Sequence, residues 1–236
     1  MRLPRLSMVN VLQHVLLRSN NNELLFCHSH DYRVFSDYLK QTAQQFDCAI
    51  HAYVYMPDHV HLLLTPSHEK SISKLVQLQA RRYVQYFNRR YHRYGNLFET
   101  RYKSSLVDSD YYALHCYQYI ESNPVRAGLV DSPEAYNWSS YRRNALGLND
   151  ELISSCKEYG ALGDSGKQRQ IAYKNRLEKA LSPEIMHAIR LQTQRSLPLG
   201  EASFINHLEH VFGLSLQAKA RGGDHRSMQF RALSRA

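Results

Sequence analysis

Residues 51–66 read HAYVYMPDHVHLLLTP, and the fold follows from how this stretch alternates. Side chains on a β-strand point to opposite faces in turn, so positions i and i+2 share a face. Pro57-Asp58 is a turn signal between two apolar runs, which predicts strands over 48–55 and 59–65 joined as a hairpin. His59 and His61 then stand side by side on one face of the outgoing arm, while Val60 and Leu62 point into a core. Two imidazoles on a rigid strand can serve as metal ligands. Alone, His-x-His is a weak signal, and a pair of partly exposed strand histidines is the commoner reading.

Outward from the hairpin, residues 9–18 alternate as a first strand, and Asn20-Asn21-Asn22 marks a turn. Tyr32, Phe35, Leu39 and Phe46 fall near helical spacing and predict a helix over 29–46, with Ser29 as its N-cap. A long helix follows the hairpin over 71–93, with Ile72, Leu75, Leu78, Tyr83, Phe87 and Tyr91 on or near its buried side and Gly95 beyond its end. Residues 101–107 suit a fourth strand. Asp108 then caps a helix that runs to about Ser122 and stops at Asn123-Pro124. The order βαββαβα predicts an α+β chain with a ferredoxin-like antiparallel sheet and helices on one face.

After Trp138, which reads as a packing anchor, the pattern changes. Residues 147–166 are rich in Gly, Ser, Asp and Asn, and three short helical patterns follow near 167–181, 183–193 and 201–213. The organisation expected is a catalytic domain over 1–147, a small helical C-terminal region over 148–215 and a flexible basic tail over 216–236.

The charge narrows the partners. Thirty Lys and Arg against 21 Asp and Glu give a net charge of +9, and the pI is near 9.4. Such an excess points to a polyanion, either nucleic acid or an anionic membrane surface. No stretch approaches the ~20 apolar residues needed to cross a bilayer, and the N-terminus lacks the apolar core of a signal peptide. Nucleic acid is therefore the expected partner and no membrane is. The four cysteines, Cys27, Cys48, Cys116 and Cys156, show no zinc or CxxC spacing and read as reduced thiols of a cytoplasmic protein.

Between Lys70 and Lys103 there are nine Lys and Arg and one acid, Glu99. Arg81, Arg82, Arg89, Arg90, Arg93, Arg101 and Lys103 are the expected DNA contacts, with Tyr86 and Tyr94 interleaved. Guanidinium groups fork onto phosphates and aromatic rings stack on unpaired bases. For any single arginine a solvated helix face is the plainer reading. The helix over 109–122 is crowded with tyrosines, most of which should pack. Tyr119 and Asn123 lie four apart on one helical face, and a phenol with an amide beside two histidines suits a nucleophile and a third metal ligand.

Several linked stretches, HAYVYMPDHVHLLLTP, RYVQYFNRRY, GNLFETRYKSSLVDSDYY and YQYIESNPVRAGLV followed by YNWSSYRRNALG, resemble the REP-associated tyrosine transposases. These are a domesticated branch of the single-tyrosine HUH transposases, and the resemblance runs from about Pro4 to Gly147. It implies that His59 and His61 are the paired metal ligands, that Asn123 completes the metal site with Mg²⁺ or Mn²⁺, and that Tyr119 attacks DNA. Tyr117 lies about 200° away around the helix. The departures are Thr100 where relatives often have Gly, Asp58 where Asn is common before the first histidine, and a tail reading Gly-Gly-Asp-His-Arg-Ser. His14, His51 and His92 carry no expected chemistry, and His115 reads as a polar surface or supporting residue.

The function so implied is metal-dependent cleavage and joining of single-stranded DNA at hairpin-forming repeats, through a 5′-phosphotyrosine. The alternative is a non-catalytic nucleic-acid-binding relic, against which the intact His59, His61, Tyr119 and Asn123 argue. A metallohydrolase of the His-x-His-x-Asp-His type fails because Leu63 and Leu64 stand where Asp and His are needed. The expected state is a monomer, with a homodimer as the alternative, in the cytoplasm and at the nucleoid when bound to single-stranded or hairpin DNA.

Overall fold

The computed structural model of the protein describes residues 6–216, so the expected tail falls outside the described residues from 217 onward. Four strands, β1 (Gln13–Arg18), β2 (Cys48–Tyr55), β3 (His59–Pro66) and β4 (Lys103–Leu106), form one antiparallel sheet in the order β2-β3-β1-β4. The first helices are α1 (Ser29–Gln45), α2 (Ser71–Arg90) and α3 (Ser109–Glu121). The element order is the one predicted, and the antiparallel sheet is that of a ferredoxin-like α+β fold. The hairpin closes through Met56 N–H to His59 O at 2.8 Å, with Pro57 and Asp58 as its two loop residues.

Helices cover both faces of the sheet, where the sequence led us to expect one. On the first face Phe35 and Leu39 of α1 and Ile72, Leu75, Tyr83 and Phe87 of α2 pack on Val15, Leu17, Val60, Leu62 and Leu64. On the second, Ala113, Cys116, Tyr117 and Ile120 of α3 pack on Ala52, Val54 and Leu63. The physical reason is the run Leu62-Leu63-Leu64. A strand wetted on one side alternates, whereas β2 and β3 are buried almost continuously and need cover on both sides.

The second layer is completed by the C-terminal region. A one-turn helix α4 (Asn123–Arg126) follows α3, then α5 (Tyr141–Asn144), α6 (Lys157–Gly160), α7 (Gly166–Leu177), α8 (Pro183–Arg195) and α9 (Ala202–Phe212). Tyr159, Tyr173 and Ile189 from α6, α7 and α8 join the α3 cluster and share its core. Leu199 brackets the end of β4, accepting from Asp108 N–H and donating to Leu106 O at 2.8 Å each, which covers that exposed edge. Trp138 stacks on Tyr32 with ring centroids 4.4 Å apart, so it does anchor the return of the chain.

Two local expectations shift by a residue or a partner. His28, not Ser29, is the N-cap of α1, and Asp31 accepts the His28 N–H at 2.9 Å. Asp108 is the N-cap of α3, but its carboxylate accepts from Glu201 N–H instead of the helix. Asn123-Pro124 ends α3, and the chain then resumes one helical turn. Glu121 is fully buried, accepting from Ser140, Asn144 and Tyr173, and so ties α3 to α5 and α7. Burial, only partly opposed by these three donors, pushes its carboxyl up to about 7.

Candidate active site

The register of the sheet builds the site. Arg18 pairs with His59, Leu16 with His61 and His14 with Leu63. Directly paired residues of an antiparallel ladder project to the same side. His14, Leu16, Arg18, His59 and His61 therefore share the second face, away from α2. The α3 helix crosses this face and brings the Tyr119 ring to 5.9 Å from His61, edge to face, and 6.0 Å from His14. The break at Ser122 turns Asn123 inward, so that its amide nitrogen lies 3.4 Å from His59 Nε2. All four residues singled out in the sequence meet in one cleft of about 520 Å³.

Each histidine has its Nδ1 taken. His59 Nδ1 sits 2.7 Å from Asp58 Oδ1, and His61 Nδ1 sits 2.8 Å from His14 Nε2. A carboxylate can only accept, so His59 carries its proton on Nδ1 and leaves Nε2 as a lone pair. Burial lowers the basicity of all three rings. His14 falls to about 3, His61 goes well below the usual histidine value, with His14 and His59 adding to the effect, and His59 falls despite its bond to Asp58. Neutral imidazoles are what a metal requires of its ligands.

Among the described residues no three His, Cys, Asp or Glu side chains are arranged to hold a metal. An ion here would need the Asn123 amide, whose oxygen and nitrogen exchange by a half-turn of the group. The two imidazole nitrogens and one amide oxygen fit a divalent cation with open positions for substrate oxygens.

Tyr119 is held from the other side by Arg126. Its guanidinium lies 4.3 Å from the Tyr119 ring centroid, and it donates to Tyr119 O at 2.8 Å and to Ser122 Oγ at 2.7 Å. Tyr117 is fully buried and donates to Cys156 Sγ at 3.3 Å, among Tyr159 and Tyr173. The two tyrosines thus face different surroundings. His115 bonds back to Tyr111 O at 2.8 Å on its own helix and does not line the cleft.

The basic segment is placed differently from the histidines. Arg81 and Arg89 are exposed on α2, across the sheet from the cleft. Arg82 donates to Gln41 at 3.1 Å, and Arg82, Arg89 and Arg90 line a groove of about 660 Å³ with Tyr38, Gln85 and Tyr86. Arg90 also pairs with the buried Asp31 at 3.5 Å, and Arg93 pairs with Glu23. Arg101 is exposed ahead of β4. Lys103 pairs with Leu16, so it projects from the edge strand on the cleft side.

The cleft has cations that the sequence reading missed. Arg18, Arg126 and Arg190 line it, as do His14, His187 and Thr193. His14 and Arg18 were accessible to the same i, i+2 reasoning applied to β1, since they flank Leu16 two positions either way. Arg126 lies seven residues after Tyr119, two helical turns on. For the residues of α8 no local signal exists, because nothing near 183–195 tells what that helix packs against.

Residues 7–123 match the family model described as "Transposase IS200 like". Over those residues the chain belongs to the IS200-like transposases. The matched segment includes His59, His61, Tyr119 and Asn123, while Arg126 and the α8 wall lie beyond it. Among solved structures, a REP-associated tyrosine transposase bound to a REP hairpin superposes with a TM-score of 0.55 at 16% identity, covering 66% of this chain and 92% of that one. At that identity the likeness is one of fold. A transposase described from Deinococcus radiodurans is 26% identical over 52% of this chain and 97% of its own, with a TM-score of 0.36. No curated protein matches the chain.

Proposed function

We propose that this protein is a metal-dependent single-stranded DNA endonuclease and strand transferase, acting at hairpin-forming repeats through a 5′-phosphotyrosine. The observation that carries the reading is the Tyr119 ring standing 5.9 Å from His61 in a cleft that also holds His59, Asn123 and three arginines. Membership of the IS200-like transposases supports it, and the hairpin substrate is taken from the REP-hairpin complex of a protein with the same fold.

In this reading the Tyr119 oxygen attacks phosphorus and the bond from phosphorus to the 3′ oxygen breaks. The phenolic proton leaves to water and the departing 3′ oxygen takes one up. The new phosphotyrosine keeps the energy of the broken bond, so a second 3′-hydroxyl can reverse the step and join strands. Arg126 fixes the ring and, with Arg18 and Arg190, brings positive charge to the side where the phosphate must lie. Mg²⁺ or Mn²⁺ held by His59, His61 and Asn123 would polarise the scissile phosphate and offset its charge. Imidazole ligands suit Mn²⁺ better than Mg²⁺.

A monomer suffices for this chemistry, because Tyr119 comes from the same chain as the histidines it faces. The groove lined by Arg82, Arg89 and Arg90 would grip the hairpin stem from the other side of the sheet. The test is cleavage of a labelled hairpin repeat with Mn²⁺, in wild type and in the His59→Ala, His61→Ala double variant. Cleavage should be lost in the variant; a variant that still cuts with Mn²⁺ would remove the metal from the reading.

A further inference from the structure

The buried chain Thr193, His14, His61 reaches from α8 through β1 to the candidate metal pair, and neither Thr193 nor His14 had a role from the sequence. Thr193 Oγ1 lies 2.8 Å from His14 Nδ1, and His14 Nε2 lies 2.8 Å from His61 Nδ1. The two rings are within 26° of coplanar with centroids 4.9 Å apart, which is the geometry of an in-plane N···N hydrogen bond. His14 is fully buried, and Thr193 and His61 nearly so, so water does not compete for these atoms.

Only two proton arrangements satisfy the chain when both rings are neutral. In one, His61 Nδ1–H donates to His14 Nε2, and His14 Nδ1–H donates to Thr193 Oγ1. His61 Nε2 is then a lone pair, as His59 Nε2 already is. In the other, the Thr193 hydroxyl donates, both rings shift their protons, and His61 carries hydrogen on Nε2, which closes it to any cation. The two arrangements differ in which way one hydroxyl points.

We propose that His14 and Thr193 are positioning residues that hold His61 as its Nδ1–H tautomer, with Nε2 open to the cleft, so that the C-terminal helix α8 sets the metal-binding competence of the catalytic domain. This rests on the proposed function, since it concerns the same histidine pair. Partners of a ligating histidine commonly contribute 10–100-fold in metal affinity. Here the partner of the partner, Thr193, comes from a helix, and it lies 179 residues from His14 in sequence. It lies beyond the stretch that matches the transposase family.

The experiment has two arms. Long-range ¹H–¹⁵N spectra of the metal-free full chain report which nitrogen of His61 carries the proton, with no variant and no DNA needed. We expect Nδ1; protonation on Nε2 would overturn the proposal. The second arm titrates Mn²⁺ into Thr193→Val and Thr193→Ser. Valine keeps the shape and removes the hydroxyl, so His61 should move toward the Nε2–H form and Mn²⁺ binding should weaken about 10-fold or more. Serine restores the hydroxyl and should bind within about threefold of wild type. A folded Thr193→Val with wild-type tautomer and affinity would overturn the proposal. A wild type that binds no Mn²⁺ would instead sink the metal in the proposed function, and the tautomer spectra would still decide the chain.

Discussion

At the scale of single residues, the site depends on hydrogen bonds that fix which nitrogen faces the cleft. The Asp58 carboxylate holds His59 by Nδ1 at 2.7 Å. An alanine there leaves the ring free to rotate and to exchange tautomers. Asp58→Ala should therefore weaken Mn²⁺ binding about tenfold with little change in stability, since the Asp58 side chain is only half-buried, in the hairpin loop. Titration calorimetry beside a thermal melt checks both halves; unchanged affinity would mean the carboxylate does not orient the ligand. The His59 and His61 pairing was legible in the sequence because period-two alternation is local. The face of β1 that His14 occupies was readable by the same alternation, but its contact with His61 was not, because that depends on a neighbour 47 residues away.

At the scale of elements, α3 is held to the C-terminal helices by Glu121, and this gives the fold a pH dependence. Its carboxyl is raised from 4.5 to about 7 by burial. Between those values the folded state keeps a proton that the unfolded chain has released. The contribution is thus fully present below about 4.5 and lost as pH rises through about 7. Glu121→Gln, which cannot ionise, should gain on wild type as pH rises across this window, by roughly 3 kcal/mol at most. Urea unfolding of both proteins at pH 5 and pH 8 measures it, and parallel curves would contradict the assignment. The strands and long helices were readable because their apolar spacing is strong. What α6, α7 and α8 pack on was not, because short helices say which face is apolar and not where that face goes. The run Leu62-Leu63-Leu64 did carry the hint of a sheet covered twice.

At the scale of the whole molecule, two basic surfaces lie on opposite sides of one sheet. The cleft holds Arg18, Arg126 and Arg190, and the groove between α1 and α2 holds Arg82, Arg89 and Arg90. A hairpin repeat that uses both must pass around the sheet, stem on one side and unpaired strand on the other. Arg82→Ala with Arg89→Ala should then weaken binding to all hairpins alike and flatten the salt dependence by about one unit of slope per lost phosphate contact. Equal slopes in wild type and variant would remove the groove from the DNA path.

The central claim is that Tyr119 is the nucleophile. Incubation with a labelled hairpin repeat and Mn²⁺, followed by denaturing electrophoresis, reads it as a covalent protein–DNA adduct. Tyr119→Phe removes only the attacking oxygen, keeping the ring under Arg126 and the histidines beside it, so binding should persist while the adduct disappears. Tyr117→Phe removes a buried hydroxyl bonded to Cys156, so it should cost about 1 kcal/mol of stability and leave the adduct intact. An adduct that survives Tyr119→Phe, or none from wild type on the labelled hairpin repeat, would contradict the account.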